Sequence, residues 1–506
     1  MAQTIAIISL IVFSLGMVLI GLYSRKKAET LDGFLLGGRK MGPWISAFAY
    51  GTSYFSAVIF IGYAGQFGWR FGVSAIWIGI GNALIGALLA WKILAKRTRS
   101  MTRKLEAKTM PEFFARRYNS TGMKIYAAAI IFIFLLPYAA SVYKGLGSLF
   151  STIFTGAQDW VVMLIVALLT AVYLVLGGYV ATALNDLIQG LIMIVGIIVM
   201  IAILFAQPEV GGVTGWISKL SEINPDLSSI WGGNFNTLKF LATNIILTSF
   251  GVWGLPQMIH KYYTVKDNSA IKKGAVISTL FALITGCGAY LVGSMGRLFV
   301  QAAENGKPDV VNGFDGVVPA MLFKVFSENL LLNVLLSIIL LLLLSASMST
   351  LAAVVLTSST AISVDVVSVV KKNPDEKKQM LLTRGLCLLF VLLSYLFATA
   401  NISFIVNLMS FSWGVVAGSF IGPMLWGLYW KGTTKAGAWA GVLSGATIVI
   451  GLIAITTSIN GFDVAKSLSP EFGVTAMIVS IIIVPIVSLL TKKFSEEHIQ
   501  FVFKSN

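Results

Sequence analysis

Cysteine and histidine are nearly absent, with two of each in 506 residues. Cys287 and Cys387 both lie in apolar segments, so no disulfide framework or metal motif is implied. His260 and His498 share no ligand spacing. No paired acids, nucleophile–base set or metal motif converges in the apolar segments, which argues against an enzyme. Charge is scarce as well: 11% of residues are charged and 57% are hydrophobic. That deficit excludes water as the solvent for most of the chain. Runs such as Trp160 to Leu176, Leu187 to Phe205 and Leu330 to Leu344 carry no charge. A helix rising ~1.5 Å per residue needs ~20 such residues to cross ~30 Å of hydrocarbon. Counting shorter, interrupted segments, about thirteen stretches qualify. Inside lipid every backbone N–H and C=O must be paired internally, which leaves helix bundles or closed barrels. Long unbroken apolar runs, as opposed to alternating ten-residue ones, select helices.

The net charge of +16 does not mark a nucleic-acid partner, because the basic residues sit in short loops between apolar runs. Arg25, Lys26, Lys27, Arg39 and Lys40 fall in the first loop, and Lys96 to Arg117 supply eight more in the third. Lys261, Lys266, Lys272 and Lys273 read as another loop, followed by Lys371, Lys372, Lys377 and Lys378, then Lys431 and Lys435, then Lys492 and Lys493. Loops near 69–73, 154–159, 207–236, 301–328, 400–402 and 459–472 have few. The short loop 179–184 has no basic residue and is neutral. Basic loops stay in the cytoplasm. The alternation gives a multi-pass protein of the plasma (inner) membrane with its N-terminus outside and C-terminus inside. The first apolar run has no basic n-region and no small-residue cleavage site, so it reads as a retained span.

The expected spans are 4–23, 42–68, 74–95, 124–153, 160–178, 185–206, 237–258, 274–300, 329–364, 382–399, 403–430, 435–458 and 473–491, in one membrane domain covering 1–506. Two are unusual. Span 42–68 contains Gly51, Gly62, Gly65 and Gly68 with Thr52, Ser53 and Ser56; span 237–258 contains Thr248, Ser249, Gly251, Gly254 and Pro256. Close helix packing accounts for such glycines in many membrane helices. The sharper reading is that both helices break mid-membrane and expose backbone groups. Five spans separate them, the offset of two five-helix inverted repeats, 42–206 and 237–399, with 4–23 and 403–491 peripheral. Paired interrupted helices in matching positions point to a transporter's binding site.

Four groups of residues stand out as candidates for chemistry. Ser345 to Thr350 (sequence SASMST) lies inside span 329–364, and hydroxyls at 345 and 349 share a helix face. Neutral oxygens of this kind suit Na⁺, with carbonyls of a broken helix completing the shell; interhelical hydrogen bonding is the competing role. Asp186 opens span 185–206, where the helix dipole favours an acid. It is either a solvated cap or a participant in cation release. Lys144 lies well inside span 124–153, where an ammonium is costly and is usually functional or paired. It would suit an anionic substrate, a carboxylate or the place of a second cation. Tyr138 and Ser141 lie about one turn apart, on a face beside Lys144, and Trp253 flanks the interruption in span 237–258, where an indole could close over a solute.

These residues resemble the sodium:solute symporter family, which includes the bacterial sodium/proline symporter and the sodium/galactose and sialic acid transporters. The resemblance runs from Gly37-Gly38-Arg39 to span 473–491. It is carried by Gly42-Pro43, Phe60-Ile61-Gly62, Met110 to Tyr118, Gly177-Gly178-Tyr179 through Asp186, Trp253-Gly254-Leu255-Pro256-Gln257 and Ser345 to Thr350. It implies a five-plus-five inverted-repeat (LeuT-like) all-α fold and alternating access driven by sodium. Its sodium site would fall on the backbone of Thr52, Phe55 and Ala346 and the hydroxyls of Ser349 and Thr350. Relatives with a second sodium site have two further hydroxyls where this chain has Ala352 and Ala353, which implies one sodium per cycle, although Asp186 matches that site's acid. Tyr54 replaces an aspartate of the proline transporter. The sugar transporter's polar contacts fall on Tyr54, Ile59, Ser249 and Val252, and only Trp253 is kept. Tyr138 and Pro256 match substrate-region positions of the proline transporter, and Lys144 has no counterpart.

The sequence thus predicts sodium-coupled uptake of a small organic solute, an amino acid such as proline or a monocarboxylate, held against Tyr54, Tyr138, Lys144, Ser249 and Trp253. No cofactor other than the coupling sodium and no obligate protein partner is implied. The competing readings are the same fold driven by protons, or a channel or transporter-derived sensor. A channel needs charged rings or a carbonyl filter, and a sensor needs a signalling module, whereas about 15 residues follow position 491.

Overall fold

The computed structural model describes residues 2–154, 158–326, 330–371, 375–400 and 403–503; Lys372 and the loop positions 155–157, 327–329 and 401–402 lie outside them. The described chain is helical and contains no named strand. Its solvent logic is reversed from that of a water-soluble protein. Ile11, Leu15, Leu168, Leu191, Ile198, Leu392 and Leu489 are exposed, whereas Thr52, Ser249, Ser345, Ser349 and Thr350 are buried. With lipid outside, apolar side chains cost nothing at the surface, and hydroxyls collect where other helices can satisfy them.

Among the described residues, ten helices are long and apolar enough to cross a bilayer, or eleven when the bent pair Phe235–Trp253 and Pro256–Thr264 counts as one span. This is fewer than the expected thirteen, and the difference has a visible origin. Two of the ten, Val58–Lys104 and Asp159–Ala206, run 47 and 48 residues, more than twice the ~20 that one crossing takes. Each contains a glycine at positive φ: Gly72 (φ 53) in the first and Gly178 (φ 54, ψ −147) in the second. Gly178 divides its stretch into two helices, and the turn is made at that one residue. The expected loop 179–184 is therefore helix, and Asp186 lies about two turns inside it, away from a helix N-terminus.

The elements that matter for the site are α1 (Ala2–Ser24), α2 (Pro43–Tyr54), α3 (Ala64–Phe71), α4 (Thr121–Ile153), α5 (Asp159–Ala206), α6 (Phe235–Phe250), α7 (Pro256–Thr264), α8 (Leu330–Thr360), α9 (Ile405–Tyr429), α10 (Lys435–Asn460) and α11 (Ser469–Leu490). The long apolar α8 packs on α1, α2, α4 and α5, while α9, α10 and α11 pack on one another and α9 reaches back to α4. Pro43 starts α2 at its first turn, where a missing N–H costs nothing.

Gly178 generates a test. Its φ/ψ region is open essentially to glycine alone, and a Cβ there would meet Phe34 Cδ2 at 2.6 Å and Phe34 O at 2.8 Å. Gly178→Ala should destabilise the folded protein by about 1–3 kcal/mol or more, read as a lowered melting midpoint in detergent. Gly385→Ala, where a Cβ meets nothing within 4 Å, should not lower it. Equal midpoints for the two variants would contradict the hinge assignment.

Candidate ion and solute site

The first interrupted helix ends inside the bundle. α2 stops at Tyr54, Phe55 turns extended (φ −100, ψ 98), and a π-helical segment, Val58–Tyr63, resumes before α3. The last carbonyls of any helix lack an intrahelical donor. The Phe55 amide closes one turn onto Gly51 O at 3.0 Å. The carbonyls of Thr52 and Ser53 point instead at α8, 3.3 and 3.4 Å from the Thr350 hydroxyl.

That hydroxyl is also 3.0 Å from Ala346 O, one turn back on α8. A threonine hydroxyl has one proton, so three carbonyl oxygens compete for a single donor. Ser349 Oγ donates to Thr52 Oγ1 at 2.7 Å, and Thr52 Oγ1 donates in turn to Phe48 O at 2.8 Å. The result is a buried cluster of hydroxyl and carbonyl oxygens, with the Asp186 carboxylate beside its Ser349 and Thr52 hydroxyls. Such a cluster is chemically suited to a small hard cation, which interacts with every oxygen at once. Phe55 enters as the residue that ends α2, with its ring tilted against Tyr54 at 4.6 Å. Ser345, whose hydroxyl shares a face with Ser349, is buried without a partner.

The expected solute residues Tyr54, Ser249 and Trp253 converge on one neighbouring segment, residues 82–86. Tyr54 OH donates to Thr248 O at 2.7 Å, Ser249 Oγ to Asn82 Oδ1 at 3.1 Å, and Trp253 Nε1 to Ile85 O at 3.1 Å. Gly86 lets this happen: a Cβ there would lie 2.1 Å from the Tyr54 hydroxyl. Tyr138 sits beside the hydroxyls of Ser56 and Thr350. Its ring meets Trp413 edge-on at 5.6 Å, and Trp413 stacks on Tyr54 at 6.4 Å. Trp413 and Asn82 are thus central, and the sequence reading passed over both. Asn82 carried a usable signal as a lone amide in an apolar span, and Trp413 carried none.

The second interruption follows α6. Gly251–Trp253 forms a tight turn, Gly254 and Leu255 leave the helix, and α7 begins at Pro256 with a bend of 43°. α7 carries Lys261, which from sequence reads as a loop charge. It is buried, with its ammonium 3.4 Å from Asp186 Oδ2. Asp186 is therefore an interior carboxylate held between α5 and α7, and its Oδ1 has no hydrogen-bond partner. Its next polar neighbours are the Ser349 and Thr52 hydroxyls. Lys144 lies elsewhere. Its ammonium donates to Ser403 O at 2.6 Å and stands 4.0 Å from Asp315 Oδ2, at the loop end of α4, apart from Tyr54 and Trp253.

Removing one partner of a buried ion pair leaves an uncompensated charge and costs about 3–5 kcal/mol. Lys261→Met and Asp186→Asn should each lower the melting midpoint and the yield of monodisperse protein, with Lys261→Met the more severe. The double variant should recover most of the loss. A double variant as unstable as the sum of the singles would show that the two side chains are not coupled.

The chain is 29% identical over 496 residues to the osmoregulated proline transporter OpuE of Bacillus subtilis (strain 168), covering 96% of this chain and 95% of that one. It is 30% identical over 498 residues to the sodium/proline symporter of Staphylococcus aureus (strain bovine RF122 / ET3-1), covering 96% and 93%. Among solved structures, the substrate-bound outward-open state of a Na⁺-coupled sialic acid symporter superposes with a TM-score of 0.76 at 18% identity, over 97% of this chain and 99% of that one. MHP1, a nucleobase-cation-symport-1 family transporter, gives 0.52 at 16% identity over 93% and 97%. The last two show the fold. Residues 34–445 match the model of the sodium:solute symporter family. The chain belongs to the sodium:solute symporter family and is a multi-pass membrane protein that couples solute uptake to sodium.

Proposed function

We propose that sodium binds between the end of α2 and the hydroxyl pair on α8, and that one ion per cycle drives uptake of a small amino acid such as proline, or of a monocarboxylate, by alternating access. The ligands are the backbone of Thr52, Phe55 and Ala346 and the hydroxyls of Ser349 and Thr350. The observation that carries this reading is the donor-poor ring around Thr350, with carbonyl oxygens of α2 and α8 at 3.0, 3.3 and 3.4 Å. Ala352 and Ala353 offer no further hydroxyls beyond the pair, which supports a single ion. Solute lies against Tyr54, Tyr138, Ser249 and Trp253, and the printed names of two relatives, a proline transporter and a sodium/proline symporter, support the amino-acid assignment.

The repeats 42–206 and 237–399 supply the two interrupted helices, with thirteen passes in all, the N-terminus outside and the C-terminus in the cytoplasm of a plasma membrane. Moving one charge through ~100 mV is worth ~2.3 kcal/mol, enough to concentrate a neutral solute about 50-fold before sodium's own gradient is added. Coupling requires sodium to favour the outward-open state, because a ligand shifts an equilibrium only by its differential affinity. Asp186, buried beside the cluster and tied to Lys261, is placed to help sodium leave toward the cytoplasm. No cofactor beyond sodium and no protein partner is needed.

Uptake into proteoliposomes is the test. Ser349→Ala and Thr350→Ala should each raise the sodium concentration for half-maximal uptake about tenfold, equivalent to ~1.4 kcal/mol of lost ion binding. Unchanged sodium dependence in both variants, or wild-type uptake that proceeds without sodium, would overturn the assignment.

A further inference from the structure

The strongest unassigned feature lies at the end of the molecule that the loop charges place outside. A cavity of 590 Å³ opens there among Gln66 and Arg70 of α3, Lys144 of α4, Lys307, Asn407 and Lys466. Four of its lining residues are cationic. The acid that lines it, Asp463, is spent on Lys466 at 2.7 Å. Asp315 lies behind Lys144 at 4.0 Å, and its Oδ2 already accepts the Ile405 amide at 3.1 Å. Asp315 sits in the loop segment Gly313–Gly316, and burial, the largest influence on it, pushes its carboxyl up to about 6 against the pull of Lys144.

The donors are not used up by the protein. An ammonium has three N–H groups; Lys144 commits one to Ser403 O and faces Asp315 Oδ2 at 4.0 Å, which leaves donors for a further acceptor. Arg70 stacks its guanidinium over Phe314 at 4.9 Å, with Glu471 the acid that acts on it. A surplus of positive charge in a cleft with low-dielectric walls raises the local concentration of anions and repels sodium, so this cavity is built for the solute, not for the coupling ion. It also lies on the solute's route. Lys144 is six residues beyond Tyr138 on α4, or about 9 Å along the axis at ~1.5 Å per residue.

We propose that this vestibule is the first binding site for the transported solute and takes its carboxylate, with the Lys144 ammonium as anchor and Arg70 alongside. The solute class is therefore carboxylate-bearing. This rests on the uptake reading above and narrows it: neutral sugars and amides are not substrates. Lys144 returns to solute binding in this way, at the entrance and not at the centre.

The test uses the full-length protein in lipid nanodiscs with saturating sodium and three acid–amide pairs as probes: L-proline with L-prolinamide, L-lactate with L-lactamide, and acetate with acetamide. At least one acid should raise the melting temperature while its amide does not. Lys144→Met should weaken that response at least tenfold, and Lys144→Arg should keep most of it. Arg70→Gln and Lys307→Gln leave the Lys144–Asp315 pair in place and should each weaken the response, so they decide the matter if Lys144→Met does not fold. The proposal is overturned if no acid shifts the wild type, if amides act as well as their acids, or if all three neutralising variants respond like the wild type. Failure of the sodium assignment looks different: the carboxylate response survives while Ser349→Ala and Thr350→Ala leave sodium dependence untouched.

Discussion

A helix that stops inside a membrane protein leaves carbonyl oxygens with no water to accept from, and everything central in this protein follows from how those oxygens are satisfied. Where α2 ends at Tyr54, the chain offers the carbonyls of Thr52 and Ser53 to α8, and α8 answers with one hydroxyl, Thr350, that is already shared with Ala346 O. Backbone groups left without partners in a low-dielectric interior are costly. A small cation at the proposed site would close the deficit without adding a donor side chain, and only while α2 and α8 are close together. On the proposed reading the ion acts as a strut between two helices, which would tie its binding to conformation.

The proposed solute residues adjoin the same helix end. Tyr54 is the last residue of α2, and its hydroxyl reaches Thr248 O on α6. Tyr138 lies beside Thr350 and stacks edge-on against Trp413 of α9. Toward the outer vestibule, Tyr63 and Ser410 share a hydrogen bond of 3.1 Å. Aromatic residues and hydroxyls thus fill the centre, and the Tyr63–Ser410 bond joins the segment Val58–Tyr63 to α9. The Asp186–Lys261 pair joins α5 to α7 on the other side of the ion cluster. A buried pair of this kind adds little net stability but is strongly directional, and it fixes the second interrupted helix relative to the oxygens that α8 presents.

Much of this was legible in the sequence because it depends on local pattern. Apolar runs without charge mark the spans, and glycines with small polar residues mark both interruptions. The run of serines after five leucines marks the face of α8 that meets α2. What was not legible depends on partners far away in sequence. Lys261 reads as one more basic residue near a cytoplasmic loop, and only Asp186, 75 positions away, shows it to be interior. Arg117, also counted with loop charges, is buried and donates to Gly427 O and Trp430 O at 3.0 and 3.1 Å. Lys144 was recognised as out of place in a membrane helix, but its carboxylate, Asp315, belongs to a loop whose path the sequence does not give. The placement of Asp186 at a helix start failed for a simpler reason: one glycine turned the chain where a six-residue loop was expected.

Amide hydrogen exchange of the purified wild-type protein, in sodium against equimolar potassium, bears most directly on the strut. If the ion joins the end of α2 to α8, sodium should slow exchange of the amides near 53–58 and 346–351 together, and potassium should not. Exchange in those two segments that is the same in both salts, or protection confined to other helices, would contradict it.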